Sequence, residues 1–162
     1  MGKVLVDQVF DRDEQEQLIR EQIVDACREM NAKGINQGTS GNISVRFDQG
    51  CLITPTSLDY DDMEPDDIVY LLEDGTTDGP RKPSSEWRFH RDILMARPEF
   101  NAIVHAHPLK STALAIMGRE IPAVHYMVAV FGGPVVRCAP YATYGTAELS
   151  AFAVEAIKDR SA

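Results

Sequence analysis

The sequence predicts a single layered α/β domain built around a mixed sheet. Three observations predict it. The chain has 162 residues, the size of one domain. Segments with the three-to-four-residue apolar spacing of helices alternate with segments of strand-like periodicity. The early strands lie close enough in sequence to be joined by hairpins, which argues against a purely doubly wound parallel sheet. No internal repeat, low-complexity segment or linker interrupts the pattern.

In chain order, residues 13–33 read as an amphipathic helix, with Ile19, Ile23, Cys27 and Met30 on one face and Gly34 as its stop. Gly38-Thr39-Ser40-Gly41-Asn42 is a loop of small side chains. Ile43, Val45 and Phe47 then alternate with polar residues as a half-buried strand does. Asp48-Gln49-Gly50 turns the chain into a returning strand, Cys51 to Pro55, and Ile68 to Leu72 is a third strand. After a turn-rich stretch from Glu73 to Lys82, Ser84-Ser85-Glu86 opens a helix that runs to about Arg97, where Pro98 closes it. Ala102 to His107 reads as a strand and Leu109 to Met117 as a helix stopped by Gly118. Ala123 to Phe131 and Val135 to Cys138 read as strands split by Gly132-Gly133-Pro134. Thr146 caps a last helix, with Glu148 in its first turn.

Composition excludes several functions. Hydrophobic residues make up 44% and charged residues 25%, too apolar for a disordered chain. With 16 Lys+Arg against 25 Asp+Glu the net charge is -9, which disfavours nucleic acid as a partner, since phosphate backbones need a basic face. A small anionic ligand must then be caught by local donors rather than by the overall field. No apolar run approaches the roughly 20 residues that cross a bilayer, so no membrane partner is expected. Met1 to Asp7 lacks the charged and apolar regions of a secretory signal. Cys27, Cys51 and Cys138 include no C-x-x-C pair, which disfavours a disulfide framework or a cysteine zinc site. The expected setting is cytoplasmic.

Several side chains carry possible chemistry. In a strand, His105 and His107 point to the same face and can grip one cation, or they are two unrelated polar residues at a strand end. Ser84-Ser85-Glu86 at a helix start offers donors to an anion, or is an ordinary N-cap. Gly38 to Asn42 matches neither the Walker nor the dinucleotide pattern, yet its small side chains let backbone N–H groups approach a phosphate. His90 lies four residues after Glu86 on the same helix face; packing or hydrogen bonding is favoured over metal ligation. His125 and Tyr126, as strand neighbours, face opposite ways and are the titratable groups that segment offers. Trp87 and the methionines read as packing.

Taken together, four segments resemble the class II aldolase/adducin family in order and spacing. They are Gly38 to Ser44, Leu52 to Thr56, Pro83 to Glu86 and Val104 to His107. Ser85 to His90, Ile121 to Met127 and Cys138 to Thr146 extend the likeness, which is closest to the branch that cleaves L-fuculose 1-phosphate. The resemblance implies a three-layer α/β/α fold with a central mixed, largely antiparallel sheet. It also implies a homotetramer with sites between subunits and one zinc ion per site. His105 and His107 match zinc ligands. Glu86 matches the general base, which also ligates zinc at rest. Gly41, Asn42, Thr56, Ser57, Ser84 and Ser85 match positions that hold the substrate phosphate. Tyr126 matches a tyrosine that reaches a neighbouring subunit's site and handles the proton on the aldehyde oxygen. The implied reaction splits L-fuculose 1-phosphate, or a related 1-phosphorylated ketose, into dihydroxyacetone phosphate and L-lactaldehyde. Two departures stand out. Family members are longer and carry a third histidine ligand just past the point where this chain ends at Ala162, so the domain is expected to be truncated at its C-terminus. Tyr144 stands where the family branch has Phe near the aldehyde pocket. The rival readings are a 4-epimerase of L-ribulose 5-phosphate type, whose Asp after the paired serines contrasts with Glu86, and a non-catalytic adducin-like assembly module.

Overall fold

A computed structural model of the chain describes residues 11–161. The N-terminal segment read above as lacking a secretory signal lies outside the described residues.

The first helix, α1 (Arg12–Ala32), begins at a reciprocal cap: the Asp11 carboxylate accepts from the Glu14 N–H, and the Glu14 side chain accepts from the Asp11 N–H. Its apolar face buries Ile23, Val24, Cys27 and Met30. Strands β1 (Asn42–Phe47) and β2 (Gly50–Ile53) form the expected hairpin, with Val45 opposite Leu52. Strand β3 (Val69–Leu72) pairs with β2, and the two-residue β4 (Thr77–Asp78) lies within the stretch read as turns. Helix α2 (Trp87–Ala96) follows, then β5 (Ala102–His105), which returns to pair with β1. The sheet order is β4-β3-β2-β1-β5 and every pairing is antiparallel, so the parallel component of a mixed sheet does not occur among the described strands.

Strand alternation sends side chains to opposite faces and so builds two cores. Ile43, Phe47 and Leu52 pack on one face against α1, joined by Tyr60, Met63 and Ile68. Cys51, Ile53, Val69 and Leu71 pack on the other against Leu94 of α2, with Trp87 and Phe100 alongside. Helix α3 is Leu109–Ile116 and α4 is Ala147–Ile157. The Thr146 hydroxyl caps α4 as its sequence predicts, accepting from the Leu149 N–H at 3.2 Å. Helix α4 lies against α2, where the Ser150 hydroxyl donates to Asp92 at 2.6 Å. Helix, sheet and helix thus form the three layers expected. Among the described residues no helix is long and apolar enough to cross a membrane.

The structure corrects the two strands expected after residue 122. Tyr126–Phe131 is a 3-10 helix rather than a strand, and Val136 makes only an isolated bridge to Ile121. The apolar run there has the composition of a buried strand but no sheet neighbour. Prolines at 122 and 134 remove ladder donors on either side. His125, with extended backbone, caps the 3-10 turn through Nδ1, which accepts from the Met127 N–H at 3.2 Å. The opposite-facing geometry inferred for His125 and Tyr126 therefore fails: their ring centroids lie 4.4 Å apart with the planes tilted by 35°.

Candidate active site

Short backbone pairings bring the candidate loops together. The Ser84 N–H donates to the Thr54 carbonyl at 2.9 Å, and the Thr56 N–H donates to the Lys82 carbonyl at 3.1 Å. This stitch fixes the segment after β2 beside the segment before α2. The loop entering β1 closes the third side. Gly41 is required at its end, because a Cβ there would lie 2.7 Å from the His105 carbonyl oxygen. The Tyr60 hydroxyl donates to the Gly41 carbonyl from within the core.

These three segments enclose a cavity of about 270 Å³ whose wall includes Gly41, Asn42, Thr56, Ser57, Ser84 and Ser85. Glu86, His107 and Tyr144 complete it. All six residues matched to phosphate binding therefore share one wall with the matched base and one matched ligand. Ser57 adopts a left-handed backbone with φ 56°, a conformation that costs energy for a residue with a Cβ and clusters at functional sites.

Glu86 occupies the N-cap position of α2 but its side chain makes no capping bond. Its carboxylate is turned inward instead. Oε2 accepts from Asn42 Nδ2 at 3.0 Å and lies 3.3 Å from His105 Nε2. Glu86 therefore does not cap its helix, whereas the Ser84 hydroxyl accepts from the Glu86 N–H at 3.3 Å.

His105 ends β5 and His107 lies just beyond the strand, where its N–H donates to Asn36 Oδ1 at 3.2 Å. The spacing still places both rings on one side. Their Nε2 atoms are 2.9 Å apart and their ring centroids 4.8 Å. Burial lowers the His105 pKa, the Glu86 carboxylate opposes that, and His107 adds to the lowering; the net direction is down, toward the neutral ring that ligates metals. Two imidazole lone pairs cannot face each other at this distance without a proton or cation between them. A tetrahedral zinc ion with bonds of about 2.0–2.1 Å sets its nitrogens roughly 3.3 Å apart. A few tenths of an ångström of ring movement would therefore admit one, with the Glu86 oxygen beside it. Among the described residues, no group of three or more His, Cys, Asp or Glu closes around a single point. The fit is that of two nitrogens and an adjacent carboxylate.

Tyr126 is not brought to this centre. It is 79% exposed and lies beside a different hollow, with Ala123 and Pro134. Of the buried contributors, Asn36 had no signal in the sequence, and the partners of His90 had none. Asn36, 2% exposed, accepts from the His107 N–H and the Ser40 hydroxyl, tying the small-residue loop to the histidine pair. His90, 0% exposed, is hydrogen-bonded through both ring nitrogens, to Ser44 and to Asn42, as the packing reading expected. Asn and His side chains are common on polar surfaces, and their partners here lie 71 and 48 residues away in sequence.

Known proteins resemble this chain in sequence and fold. The chain is 53% identical over 144 residues to the 5-methylthioribulose-1-phosphate/5-deoxyribulose-1-phosphate aldolase of Rhodospirillum rubrum, covering 89% of this chain and 65% of that protein. It is 49% identical over 141 residues to the L-fuculose phosphate aldolase of Escherichia coli strain K12, covering 87% and 66% respectively. The chain thus spans about two thirds of the length of these relatives. A solved L-fuculose 1-phosphate aldolase superposes with a TM-score of 0.83 at 38% identity, over 88% of this chain and 68% of that one. Escherichia coli YgbL, described as a putative aldolase/epimerase/decarboxylase, superposes at 0.80 with 27% identity, over 90% and 73%. The pattern of the Class II Aldolase and Adducin N-terminal domain matches residues 21–162, and the chain belongs to that family.

Proposed function

We propose that this chain carries the catalytic site of a class II aldolase that cleaves a 1-phosphorylated ketose to dihydroxyacetone phosphate and an aldehyde. The observation that carries the reading is the single cavity wall shared by Thr56, Ser57, Ser84, Ser85, Glu86 and His107, with His105 facing His107 behind it. Hydroxyls and an approachable loop suit a phosphate in a chain whose overall charge repels one. Gly41, Asn42, Thr56, Ser57, Ser84 and Ser85 hold that phosphate, a remote handle whose binding energy orients the reacting carbons.

In the condensation direction Glu86 removes the proton from the carbon beside the carbonyl of dihydroxyacetone phosphate. In the cleavage direction it returns that proton to the enediolate. Its freedom from helix capping, with Oε2 held by Asn42, leaves the other carboxylate oxygen available for the transfer. A divalent cation held by His105 and His107, zinc in our reading, would supply Lewis-acid stabilisation of the charge on the enediolate oxygens. Tyr126 acts at the aldehyde oxygen of a neighbouring subunit in a homotetramer; its exposure in the single chain supports that assignment. The setting is cytoplasmic and the partner a small phosphorylated sugar, with neither nucleic acid nor membrane involved.

L-fuculose 1-phosphate is the substrate we favour. A second ketose, 5-methylthioribulose 1-phosphate, is favoured by the 53% identity to an aldolase named for it. Both share the dihydroxyacetone phosphate half and differ in the aldehyde, near Tyr144. The test is release of dihydroxyacetone phosphate from each ketose by the zinc-loaded protein. Faster release from L-fuculose 1-phosphate supports our first choice, and faster release from the thioether sugar transfers the assignment. Release from neither overturns the aldolase reading.

A further inference from the structure

Behind Glu86 runs a chain of polar side chains of which the reaction as described uses only Asn42. Asn42 is 5% exposed, and Ser44 and His90 are each 0% exposed. An ionised carboxylate only accepts hydrogen bonds, so the Asn42 group 3.0 Å from Glu86 Oε2 must be its NH₂. The Asn42 carbonyl oxygen then faces His90 Nε2, which must carry a proton to meet it. His90 Nδ1 is left as a bare acceptor, and the Ser44 hydroxyl donates to it at 2.8 Å. Each assignment follows from the one before, and the carboxylate sets the direction of all of them.

The burial gives this order consequences. An amide exchanges its two ends by a half-turn about one bond. With no partner on its oxygen, Asn42 could present that oxygen to Glu86, and the two would repel. A donor fixed behind the amide prevents the half-turn. We propose that His90, oriented by Ser44, is a positioning residue that locks the Asn42 amide and, through it, aims the Glu86 carboxylate at the proton it transfers. The proposal rests on the reading of Glu86 as the base.

A histidine that merely fills the core makes different predictions. Glutamine at this position keeps one donor for Asn42 and one acceptor for Ser44, whereas leucine keeps the bulk and neither bond. With L-fuculose 1-phosphate as substrate, His90→Leu should lower kcat about 10- to 100-fold, as loss of a group orienting a reactive side chain does. KM should stay within about threefold, because five of the six residues assigned to the phosphate keep their places, and His90→Gln should recover kcat to within about threefold of the parent. Nitrogen-15 NMR of the imidazoles in the unsubstituted protein should find the His90 proton on Nε2. Equal kcat losses in the two variants, an unchanged kcat in His90→Leu, or a proton on Nδ1 would each overturn the proposal. The NMR result needs neither turnover nor a folded variant. If the parent cleaves no ketose phosphate, the aldolase reading fails while the tautomer still decides the relay.

Discussion

The five-stranded sheet with its cavity, residues 36–107, and the segment from Pro122 to Tyr141 contrast sharply in how they treat apolar and polar groups. In the first, Leu52, Ile53, Met63, Ile68 and Val69 are wholly buried, and the polar side chains among them are paired. In the second, Val124, Tyr126, Val130 and Tyr141 are 76%, 79%, 60% and 91% exposed. The contrast teaches that Glu86, the histidine pair and the hydroxyl wall are held by segments anchored on the buried sheet. The residue matched to aldehyde chemistry sits instead on an apolar surface that the described residues do not cover. Glu86 and the histidine pair thus meet within one chain, and Tyr126 lies on a face that the described residues leave exposed.

The largest stability effect should fall in the sheet. Leu52→Ala removes a side chain at the centre of β2 and should cost about 2–5 kcal/mol in denaturant unfolding. A loss below about 1 kcal/mol would blur the contrast between the two regions.

The next effect sharpens the polar side of the comparison. In the folded chain burial, reinforced by His105, pushes the His90 pKa down to about 3, whereas an unfolded histidine titrates near its ordinary value of about 6.5. As pH falls the unfolded state therefore takes up the proton first. Stability fully present above pH ~6.5 is lost as pH drops toward about 3, with a slope of up to ~1.4 kcal/mol per pH unit. His90→Gln should remove that part of the slope in unfolding curves taken at stepped pH.

Arg46 tests the join between sheet and helix. Its guanidinium donates to the carbonyls of Leu94 at 2.6 Å and Phe100 at 3.0 Å, tying the end of α2 to β1. Arg46→Met should cost roughly 1–3 kcal/mol, because those inward-facing carbonyls lose a charged donor. The smallest effect belongs to the exposed segment. Val130→Ser should change stability by less than about 0.5 kcal/mol under conditions that keep the chain monomeric.

The same contrast explains what the sequence could and could not disclose. Local signals were sufficient where the structure is locally determined. The face spacing of Ile23, Cys27 and Met30 placed α1, and the alternation from Ile43 to Phe47 with its following turn placed the first hairpin. The single residue between His105 and His107 was enough to predict paired rings, even though the strand ends before His107. Ser57 and Ser84 were named by resemblance and do line one cavity. The run from Ala123 to Phe131 misled because apolar, β-branched composition reports a wish for burial and does not specify a sheet partner. The relay from Ser44 through His90 to Asn42 was illegible for another reason. Its bonds cross 46 and 48 residues of chain, and no periodicity records them.

In the function proposed, Glu86 moves a carbon-bound proton at the site this chain forms with its histidine pair. Dihydroxyacetone phosphate in heavy water tests it without any aldehyde. The zinc-loaded protein should exchange a proton on the carbon beside the carbonyl for deuterium, followed by NMR. Glu86→Gln should slow that exchange by at least about 100-fold while still binding dihydroxyacetone phosphate. Exchange at the parent rate in Glu86→Gln would contradict the account.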